Sequence, residues 1–281
     1  MTINDLIQPE SKQRLDLRDV SLVCIETRYP ELALYAINRC IDLGDFGECI
    51  LLTSSAVDLP GYIKQIRIPP ITSIEQYSSF VICHLYKYFS NNHVLLIQWD
   101  GFAVNRDCWQ DGFLDWDYIG APWPHLDNVV GNGGFSLRSM KLCATVATIA
   151  AESTTLHPED YVICVDLRGR LESEYGLQFA PRDIASQFSF EGSPPALPVF
   201  GFHGGRALGF SLSDTELSDF IKLCEKDLLK SWAFRGLVRS LIIQGRRLSA
   251  LRLIKKIIFL SPRHFLIGIQ LLLGILLPRK S

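Results

Sequence analysis

The stretch His93-Val-Leu-Leu-Ile97, followed at once by Gln98-Trp-Asp-Gly-Phe102, decides the fold class of this chain. A short, continuous apolar run is typical of a parallel strand that is buried on both faces. Asp100 follows this run, so it stands at the carboxyl end of a strand, where open α/β sheets place their ligands. The stretch therefore predicts a mostly parallel sheet with a ligand site along one edge.

The chain on either side of this strand alternates between predicted strands and predicted helices. Further strands are predicted at 20–26, 49–53, 64–68 and 135–137, and helices at 31–43, 74–89, 139–151 and 158–175. We expect residues 1–18 to form a polar lead-in and residues 178–203 to form short strands and loops. The predicted fold class is α/β, with helices flanking the sheet.

The charge of the chain is unevenly distributed. The 281 residues, 48% of them hydrophobic, are enough to bury a full core. The net charge of −2 conceals a basic end, because residues 230–281 contain eleven Lys or Arg and no Asp or Glu. Such a split is typical of a separate interaction segment. We therefore predict a main domain, residues 1–229, and a basic helical tail, residues 230–281.

The tail combines apolar residues at helical spacing with Lys and Arg. Its last apolar run, Phe265–Leu277, is shorter than the roughly 20 residues that cross a bilayer. One interpretation is a basic amphipathic helix that lies on an anionic membrane surface. The alternative is a helical hairpin that packs on the main domain. No nucleic-acid partner is expected, because the basic residues lie in an apolar tail and not across an aromatic-bearing sheet face.

The cysteines bear on the cellular compartment. All eight are scattered, without a CxxC pair, and most have apolar neighbours. This pattern favours reduced thiols in a cytosolic protein over a disulfide framework or a zinc site. No signal peptide is apparent at the start of the sequence. Together with the tail, these features predict a cytoplasmic protein, peripheral at the inner face of the cell membrane.

The region after Asp100 is irregular and rich in Trp, Gly and Pro, as loops that carry binding groups on a rigid sheet often are. Its run Gly131-Asn-Gly-Gly134 lets a backbone pass close to a bulky ligand, although it is also compatible with a tight turn into a buried strand. With Asp100, it suggests a site for a nucleotide-activated sugar. The residues expected to shape the sugar pocket are Trp123, Asn132, Gly133, Gly134 and Phe135, with Arg138 near phosphate or hydroxyl groups. For Trp123, a buried packing role explains the residue equally well.

Departure of a sugar from a nucleotide diphosphate develops negative charge, which enzymes meet with a divalent metal or with Arg, Lys and backbone N–H groups. Asp100 is the expected metal-side carboxylate, with a turn-capping Asp as the alternative. His203, flanked by Phe202 and Gly204, is interpreted as a metal ligand, a diphosphate contact or a structural histidine. The candidate donor-binding residues at the two strand ends are Glu26, Thr27, Arg28, Gln98, Trp99 and Asp100.

Glu159 and Asp160 follow Pro158 at the start of a predicted helix. Carboxylates are favoured there by the helix dipole alone, which is one interpretation of the pair. In the other, one of them is the general base that removes a proton from an acceptor hydroxyl. Asp160 is the preferred candidate for this catalytic role and Glu159 the competing one.

The motifs Gln98–Phe102, Asp117-Tyr-Ile-Gly-Ala-Pro-Trp123 and Gly131–Ser139 resemble a bacterial family of glycosyltransferase-like domains, mostly uncharacterised, found in polysaccharide gene sets. The resemblance covers roughly residues 18–210. It implies a GT-A-type fold, a nucleotide-diphosphate-sugar donor, with a UDP-sugar favoured, and a divalent Mn²⁺ or Mg²⁺. It also implies a saccharide or lipid-linked acceptor in surface polysaccharide (O-antigen or capsule) synthesis.

More distantly, Gly133–Ser139 followed by Glu159-Asp160 is similar to inverting β-1,3-galactosyl- and N-acetylglucosaminyltransferases, in which an acidic pair carries the base. Those enzymes have an Asp-x-Asp metal motif, whereas Gln98 stands at the first position of the motif in this chain. The similarity implies an inverting hexosyltransferase whose metal dependence is open.

Two other classes of function remain open. A sugar-phosphate nucleotidyltransferase would be expected to have a glycine-rich phosphate loop after the first strand, whereas Glu26-Thr-Arg-Tyr-Pro30 has no glycine. The other class is a non-catalytic sugar-binding or scaffold subunit of a polysaccharide-biosynthesis complex. Gln98 at the first motif position keeps this second class open.

Overall fold

The computed structural model describes residues 14–124, 126, 129–150, 156–258 and 269. Its strands are β1 (Leu15–Ile25), β2 (Gly44–Thr53), β3 (Lys64–Arg67), β4 (His93–Ile97), β5 (Gly101–Ala103), β6 (Tyr118–Ile119), β7 (Phe135–Ser139), β8 (Ser189–Glu191) and β9 (Gly201–His203). Six of them form a central sheet in the order β3-β2-β1-β4-β7-β6. The pairs among β1, β2, β3 and β4 are parallel, and β7 is antiparallel to both of its neighbours. The predicted mostly parallel α/β sheet is confirmed.

Helices flank this sheet along the described chain. They are α1 (Pro30–Ile41), α2 (Ile74–His84), α3 (Met140–Ile149), α4 (Glu159–Tyr161), α5 (Arg168–Tyr175), α6 (Arg182–Phe188), α7 (Gly205–Ser211), α8 (Asp214–Leu223), α9 (Lys226–Leu229), α10 (Trp232–Ile243) and α11 (Arg247–Ile258). A π-helical segment, Val162–Asp166, joins α4 to α5 within the helix predicted at 158–175. None of the described helices has the length and apolar character that a bilayer span requires.

The continuous apolar runs of the central strands are explained by two cores. Successive side chains of a strand point to opposite faces of the sheet. Leu22 and Cys24 of β1 belong to the core that contains α1, whereas Val23 and Ile25 belong to the core that contains α2. Both faces are therefore covered, as the stretch at 93–97 predicts.

The start of β1 departs from the prediction. Residues 15–18 of the expected polar lead-in belong to the strand, because Leu15–Leu17 pair in parallel with Gly44–Phe46 of β2. Leu17 is buried in the core while its neighbours Asp16 and Arg18 are exposed, so this segment is a half-buried strand and not a loop. Residues 1–13 of the lead-in lie outside the described residues.

The segment predicted as short strands and loops, 178–203, also contains a helix. Pro181 precedes α6, Asp183 lies in its first turn, and Ala185 and Phe188 are buried. An acidic residue in the first turn is favoured by the helix dipole. Seven residues are too few for a clear apolar periodicity, so the helix escapes a pattern-based prediction.

A second, three-stranded sheet has the order β5-β9-β8. It is joined to the central sheet by a tight turn in which Gln98 and Gly101 exchange backbone hydrogen bonds of 3.0 and 3.2 Å. β9 pairs antiparallel with β5 and parallel with β8. This small sheet therefore brings residues near position 200 to the carboxyl end of β4.

The described part of the basic tail packs on the rest of the protein. Leu237 and Leu241 of α10, with Leu253 and Ile254 of α11, belong to the main core. Gly209 of α7 lies against α10, where any added side chain would overlap Ser240. The packing alternative is therefore the arrangement observed over residues 232–258. Most of 259–281 lies outside the described residues, and the boundary between 229 and 230 stays a prediction.

Candidate functional site

A cavity of about 380 Å³ opens at the carboxyl ends of β1 and β4. This is the edge of the sheet that Asp100 predicts as the ligand site, and the volume is in the range of small-molecule sites. Eleven of the predicted site residues line it together: Glu26, Thr27, Arg28, Gln98, Trp99, Asn132, Gly133, Gly134, Glu159, Asp160 and His203. Residues more than 170 positions apart in the sequence thus meet in one place.

The loop after β1 forms one wall of the cavity. Glu26 accepts hydrogen bonds from the backbone N–H groups of Arg28 at 2.7 Å and of Tyr29 at 3.0 Å. Burial raises the pKa of Glu26 above its usual value, although these two bonds act in the opposite direction. The Thr27 hydroxyl is tied to the backbone of Ile71, which fixes the loop against the chain after β3. Arg28 is exposed at the mouth of the cavity.

Asp100 is not among the residues that line the cavity; it lies at the turn between the two sheets, next to His203. It is 8% exposed, and its Oδ1 atom is 3.6 Å from Nε2 of His203. Burial raises the pKa of Asp100, while the neighbouring imidazole acts to lower it. Its backbone carbonyl accepts the N–H of Gly204 at 2.8 Å, so the strand that carries the histidine is fastened to the aspartate.

His203 is held between acidic and amide groups on both ring nitrogens. Its Nε2 lies 3.1 Å from Oε1 of Gln98, and its Nδ1 lies 3.7 Å from Oε1 of Glu191. Burial alone would lower the pKa of His203, but Asp100 and Glu191 together raise it to about 9. Gly134 passes directly against the ring, and any side chain at that position would overlap it.

The glycine-rich loop closes over the acidic pair. Asp160 Oδ2 accepts the backbone N–H groups of Asn132 at 3.1 Å and Gly133 at 3.2 Å. Asn132 has a positive φ of 67°, an uncommon conformation for a residue other than glycine. A side chain at Gly133 would overlap the Glu159 carboxylate. The close backbone approach predicted for this loop is thus an approach to the carboxylates of Glu159 and Asp160.

Arg138 lies behind the cavity and not in its lining. It is 1% exposed, and its Nη2 atom is 2.9 Å from Oε1 of Glu159. Its guanidinium also lies 5.2 Å from the ring centre of Tyr118, and its Nε donates to the Ser136 hydroxyl at 2.9 Å. Burial raises the pKa of Glu159 above 4.5, with Arg138 acting in the opposite direction. In this position Arg138 supports Glu159 and has no access to a phosphate in the cavity.

Trp123 and Phe135 also lie outside the cavity lining. The Trp123 ring is stacked on Tyr161 at 6.2 Å and packs against Gly131. Phe135 is fully buried and stacks on Phe188 at 5.2 Å. The structure gives both residues a packing role, so a sugar contact by either stays a prediction.

Asp100 and His203 are suitably placed to share a divalent ion. Ligands about 2.1 Å from one ion are roughly 3 to 4 Å apart, and Asp100 Oδ1 and His203 Nε2 are separated by 3.6 Å. Among the described residues no group of three or more His, Cys, Asp or Glu side chains is placed to hold a metal. The protein would therefore supply these two ligands and the Gln98 amide oxygen, and the bound ligand the rest.

Glu191 and Tyr77 are among the lining residues that escaped the sequence analysis. Glu191 reaches the cavity only because β8 pairs with β9 in a register that sets Glu191 opposite His203. Tyr77 of α2 lines the inner wall, where burial raises the pKa of its hydroxyl. Nothing local in the sequence marks either residue, since both positions are fixed by contacts between distant segments.

Comparison with known proteins gives a family but no activity. Residues 62–203, about half of the chain, match the family model described as protein of unknown function (DUF5672). No curated protein matches the chain.

Similar solved structures include glycosyltransferases, at low identity. The galactosyltransferase LgtC in complex with donor and acceptor sugar analogues is 13% identical, with a TM-score of 0.42, over 72% of this chain and 94% of that one. The mannosyltransferase PcManGT from Pyrobaculum calidifontis, in complex with GDP-Man and Mn²⁺, is 10% identical, with a TM-score of 0.39, over 93% and 88%. The apo form of the glycosyltransferase GlyE in Streptococcus pneumoniae TIGR4 is 10% identical, with a TM-score of 0.42, over 77% and 64%. At these identities and TM-scores, the similarity carries no activity over to this chain.

Proposed function

We propose a function for this chain, which belongs to the family described as protein of unknown function (DUF5672), from the residues of its cavity. The proposed function is that of a glycosyltransferase, which moves a sugar from a nucleotide-diphosphate donor to an acceptor hydroxyl. One observation carries this proposal. An acidic pair fastened to a glycine-rich loop and a cationic pair, Arg28 and His203, line the same cavity at the carboxyl edge of the sheet. Sugar transfer needs these two kinds of group together, a base for the incoming hydroxyl and positive charge for the leaving diphosphate.

Asp160 is the residue we assign as the general base. Its two hydrogen bonds from the loop backbone fix the carboxylate before a substrate binds, which removes an ordering cost from the reaction. Asp160 is partly exposed to the cavity, whereas Glu159 is 6% exposed and paired with Arg138. Glu159 therefore serves to hold the loop and Arg138 in place.

The reaction is a single displacement with inversion. The acceptor oxygen forms a bond to the anomeric carbon while its proton passes to Asp160. The bond between the anomeric carbon and the diphosphate oxygen breaks, and its electron pair leaves with the nucleoside diphosphate. Arg28 lies at the cavity wall, where it stabilises that charge, and the His203 imidazolium does the same when no metal ion is bound to its ring.

A bound Mn²⁺ or Mg²⁺ would add positive charge at the diphosphate, and Asp100 and His203 would hold it. Gln98 in place of a carboxylate leaves this site with one acidic ligand, which lowers its expected affinity for the ion. We therefore expect the protein to bind the ion more tightly when the donor's phosphate oxygens are present.

The setting that we propose is the cytoplasmic face of the cell membrane, where a UDP-sugar donor and a lipid-linked or saccharide acceptor meet in O-antigen or capsule synthesis. The basic helices at the end of the chain support this setting. A scaffold subunit that binds sugar without turnover is the second candidate, and Gln98 at the metal side favours it. The loop after β1 supports neither nucleotidyl transfer nor a phosphate cradle, because it has no glycine.

Calorimetric titration of the full chain with UDP-, GDP-, dTDP- and CMP-sugars, with and without Mn²⁺, tests the proposal. We expect one nucleotide class to bind, and Asp100→Ala to weaken its Mn²⁺-dependent part. Asp160→Asn retains one side-chain oxygen that can accept the loop N–H groups but is not a base, so it should retain donor binding and lower transfer by about 100-fold or more. Failure of a folded protein to bind any nucleotide would overturn the proposal. Binding without donor hydrolysis or transfer would move the scaffold function to first place.

A further inference from the structure

A groove of about 510 Å³ runs between α8 and α11, lined by residues of those two helices alone. Its floor is apolar and is formed by Leu217 and Ile221 of α8 and Leu253 of α11. The groove shares no lining residue with the candidate active site. The groove is therefore separate from the candidate active site, and the proposed sugar transfer does not require a ligand in it.

The rim of the groove is strongly basic. Lys222, Arg252, Lys255 and Lys256 surround the apolar floor and are all exposed. The single carboxylate in the lining, Asp214, is already engaged by Arg246 at 2.6 Å and by Ser249 at 2.7 Å.

Three of these cations form no ion pair with a described carboxylate. Lys222 pairs with Asp219 at 2.6 Å, but within the described part of the chain no ion pair involves Arg252, Lys255 or Lys256. The rim therefore carries three cations outside any described ion pair over an apolar surface, and Asp214 is the one carboxylate in the lining.

The surface of α11 beside the rim is also unusual. Leu248 and Leu251 are 73% and 39% exposed, and they share one helical face with Arg252 and Lys255, at spacings of three, four and seven residues. The opposite face of α11, with Ala250, Ile254 and Ile257, is buried in the core. The helix thus cannot insert its main apolar face into a bilayer, but it can present leucines and cations at an interface.

We propose that this groove binds the phosphate headgroup of an anionic lipid. Arg252, Lys255 and Lys256 surround the phosphate, and Ile221, the partly exposed residue of the apolar floor, receives the first part of the attached hydrocarbon chain. Charge complementarity selects the occupant, because a cationic rim over an apolar floor matches a ligand that is anionic at one end and apolar at the other. The inference deepens the membrane setting of the proposed function and rests on it, but not on its transfer chemistry.

Vesicle flotation with the full chain tests the proposal. Vesicles of phosphatidylglycerol and phosphatidylcholine are compared with vesicles of phosphatidylcholine alone. The triple variant Arg252→Gln, Lys255→Gln, Lys256→Gln should lower partitioning onto the anionic vesicles by at least about tenfold. The matched control, Arg235→Gln, Arg239→Gln, Arg247→Gln, removes the same charge outside the groove and should lower it by much less. Equal losses in the two variants would overturn the groove as a site, since the attraction would then be a general one.

A second measurement separates a lipid from other occupants. Short-chain phosphatidylglycerol and inorganic phosphate are titrated against the protein, and Ile221→Gln is compared with the unaltered chain. The lipid should bind more tightly than phosphate and lose affinity in Ile221→Gln. Equal affinity for both ligands would reject the apolar floor as part of the site. Loss of thermal stability in the groove variants without loss of vesicle binding would also overturn the proposal, since the groove residues would then serve the packing of α11 and not a ligand. Nucleotide titration of the same variants shows separately whether the donor site is intact.

Discussion

Glu191 and His203 face one another across the parallel pair β8–β9, with Glu191 Oε1 3.7 Å from His203 Nδ1. A carboxylate on one ring nitrogen fixes the tautomer and orientation of an imidazole, so that the other nitrogen is directed at its own partner. For His203 that other nitrogen, Nε2, faces Asp100 and Gln98. Glu191 is therefore a positioning residue for the predicted metal side of the cavity.

Glu191→Gln should weaken Mn²⁺ binding by about tenfold or more, because the neutral amide holds the imidazole less firmly. Electron paramagnetic resonance of free Mn²⁺ in the presence of a bound nucleotide measures the affinity directly. The Glu191 side chain is 44% exposed, so the fold should tolerate the change. Glu225→Gln, an exposed site outside the cavity lining, is the control. Equal Mn²⁺ affinity in Glu191→Gln and the unaltered protein would contradict the assignment.

Arg138→Met should lower the free energy of unfolding by about 3 kcal/mol or more, because it leaves Glu159 buried without its partner. Urea denaturation measures the loss. The double variant Arg138→Met, Glu159→Gln removes the unpaired charge and should regain a large part of the stability. If the double variant is as unstable as the sum of the two single changes, then the pair is not coupled.

Gly134→Ala should weaken binding of the nucleotide, because the added methyl group meets the His203 ring and must displace it. We expect a loss of at least about tenfold in calorimetric titration. Gly169→Ala is a matched control, since Gly169 lies in α5 with nothing within 4 Å of the added carbon. That substitution should leave binding unchanged and stabilise the helix by up to about 1 kcal/mol. Equal binding by both variants would show that His203 moves freely.

Glu48 gives a prediction for the pH dependence of stability. Burial acts to raise its pKa, but hydrogen bonds from Ser21 and Ser90 outweigh burial and lower the pKa below 4.5. The folded state therefore binds a proton at this site less readily than the unfolded chain. The stabilisation is present above pH 4.5 and is lost as the pH falls through the lowered pKa. The stability difference between the unaltered protein and Glu48→Gln, measured in urea at pH 7 and at pH 3, should shrink at the lower pH. A difference that stays constant would contradict the role given to Glu48.

Local pattern predicts much of this fold, because its strands are buried on both faces. The run His93–Ile97 predicts β4 with the bounds observed, since five residues, four of them apolar, are too few for a helix and fit a parallel strand. Glu26 and Asp100 follow neighbouring parallel strands, so their approach at one edge follows from the strand pattern. The half-buried start of β1 at Leu15 is harder to predict, because its alternation of polar and apolar residues spans only four positions.

The finer structure of the site depends on contacts that no local pattern records. Arg138 is drawn under Glu159 by a buried ion pair that links positions 21 residues apart. Glu191 reaches His203 through the register of two short strands. Helix α6 lies between Asp160 and Glu191 in the sequence, yet none of its residues lines the cavity. The sequence therefore predicts which chain segments converge, whereas the packing between them decides which side chains face the ligand.

The short helix α7 has a consequence for deletion experiments. It begins two residues after His203, and its backbone at Gly205 touches Ala233 of α10 so closely that a side chain there would overlap it. A chain cut after residue 229 would keep every residue of the cavity lining. It would nevertheless lose the surface that holds α7, and with it the support of the histidine strand. The candidate active site and the basic end of the protein are thus mechanically inseparable, even though no residue from 230 to 258 lines the cavity.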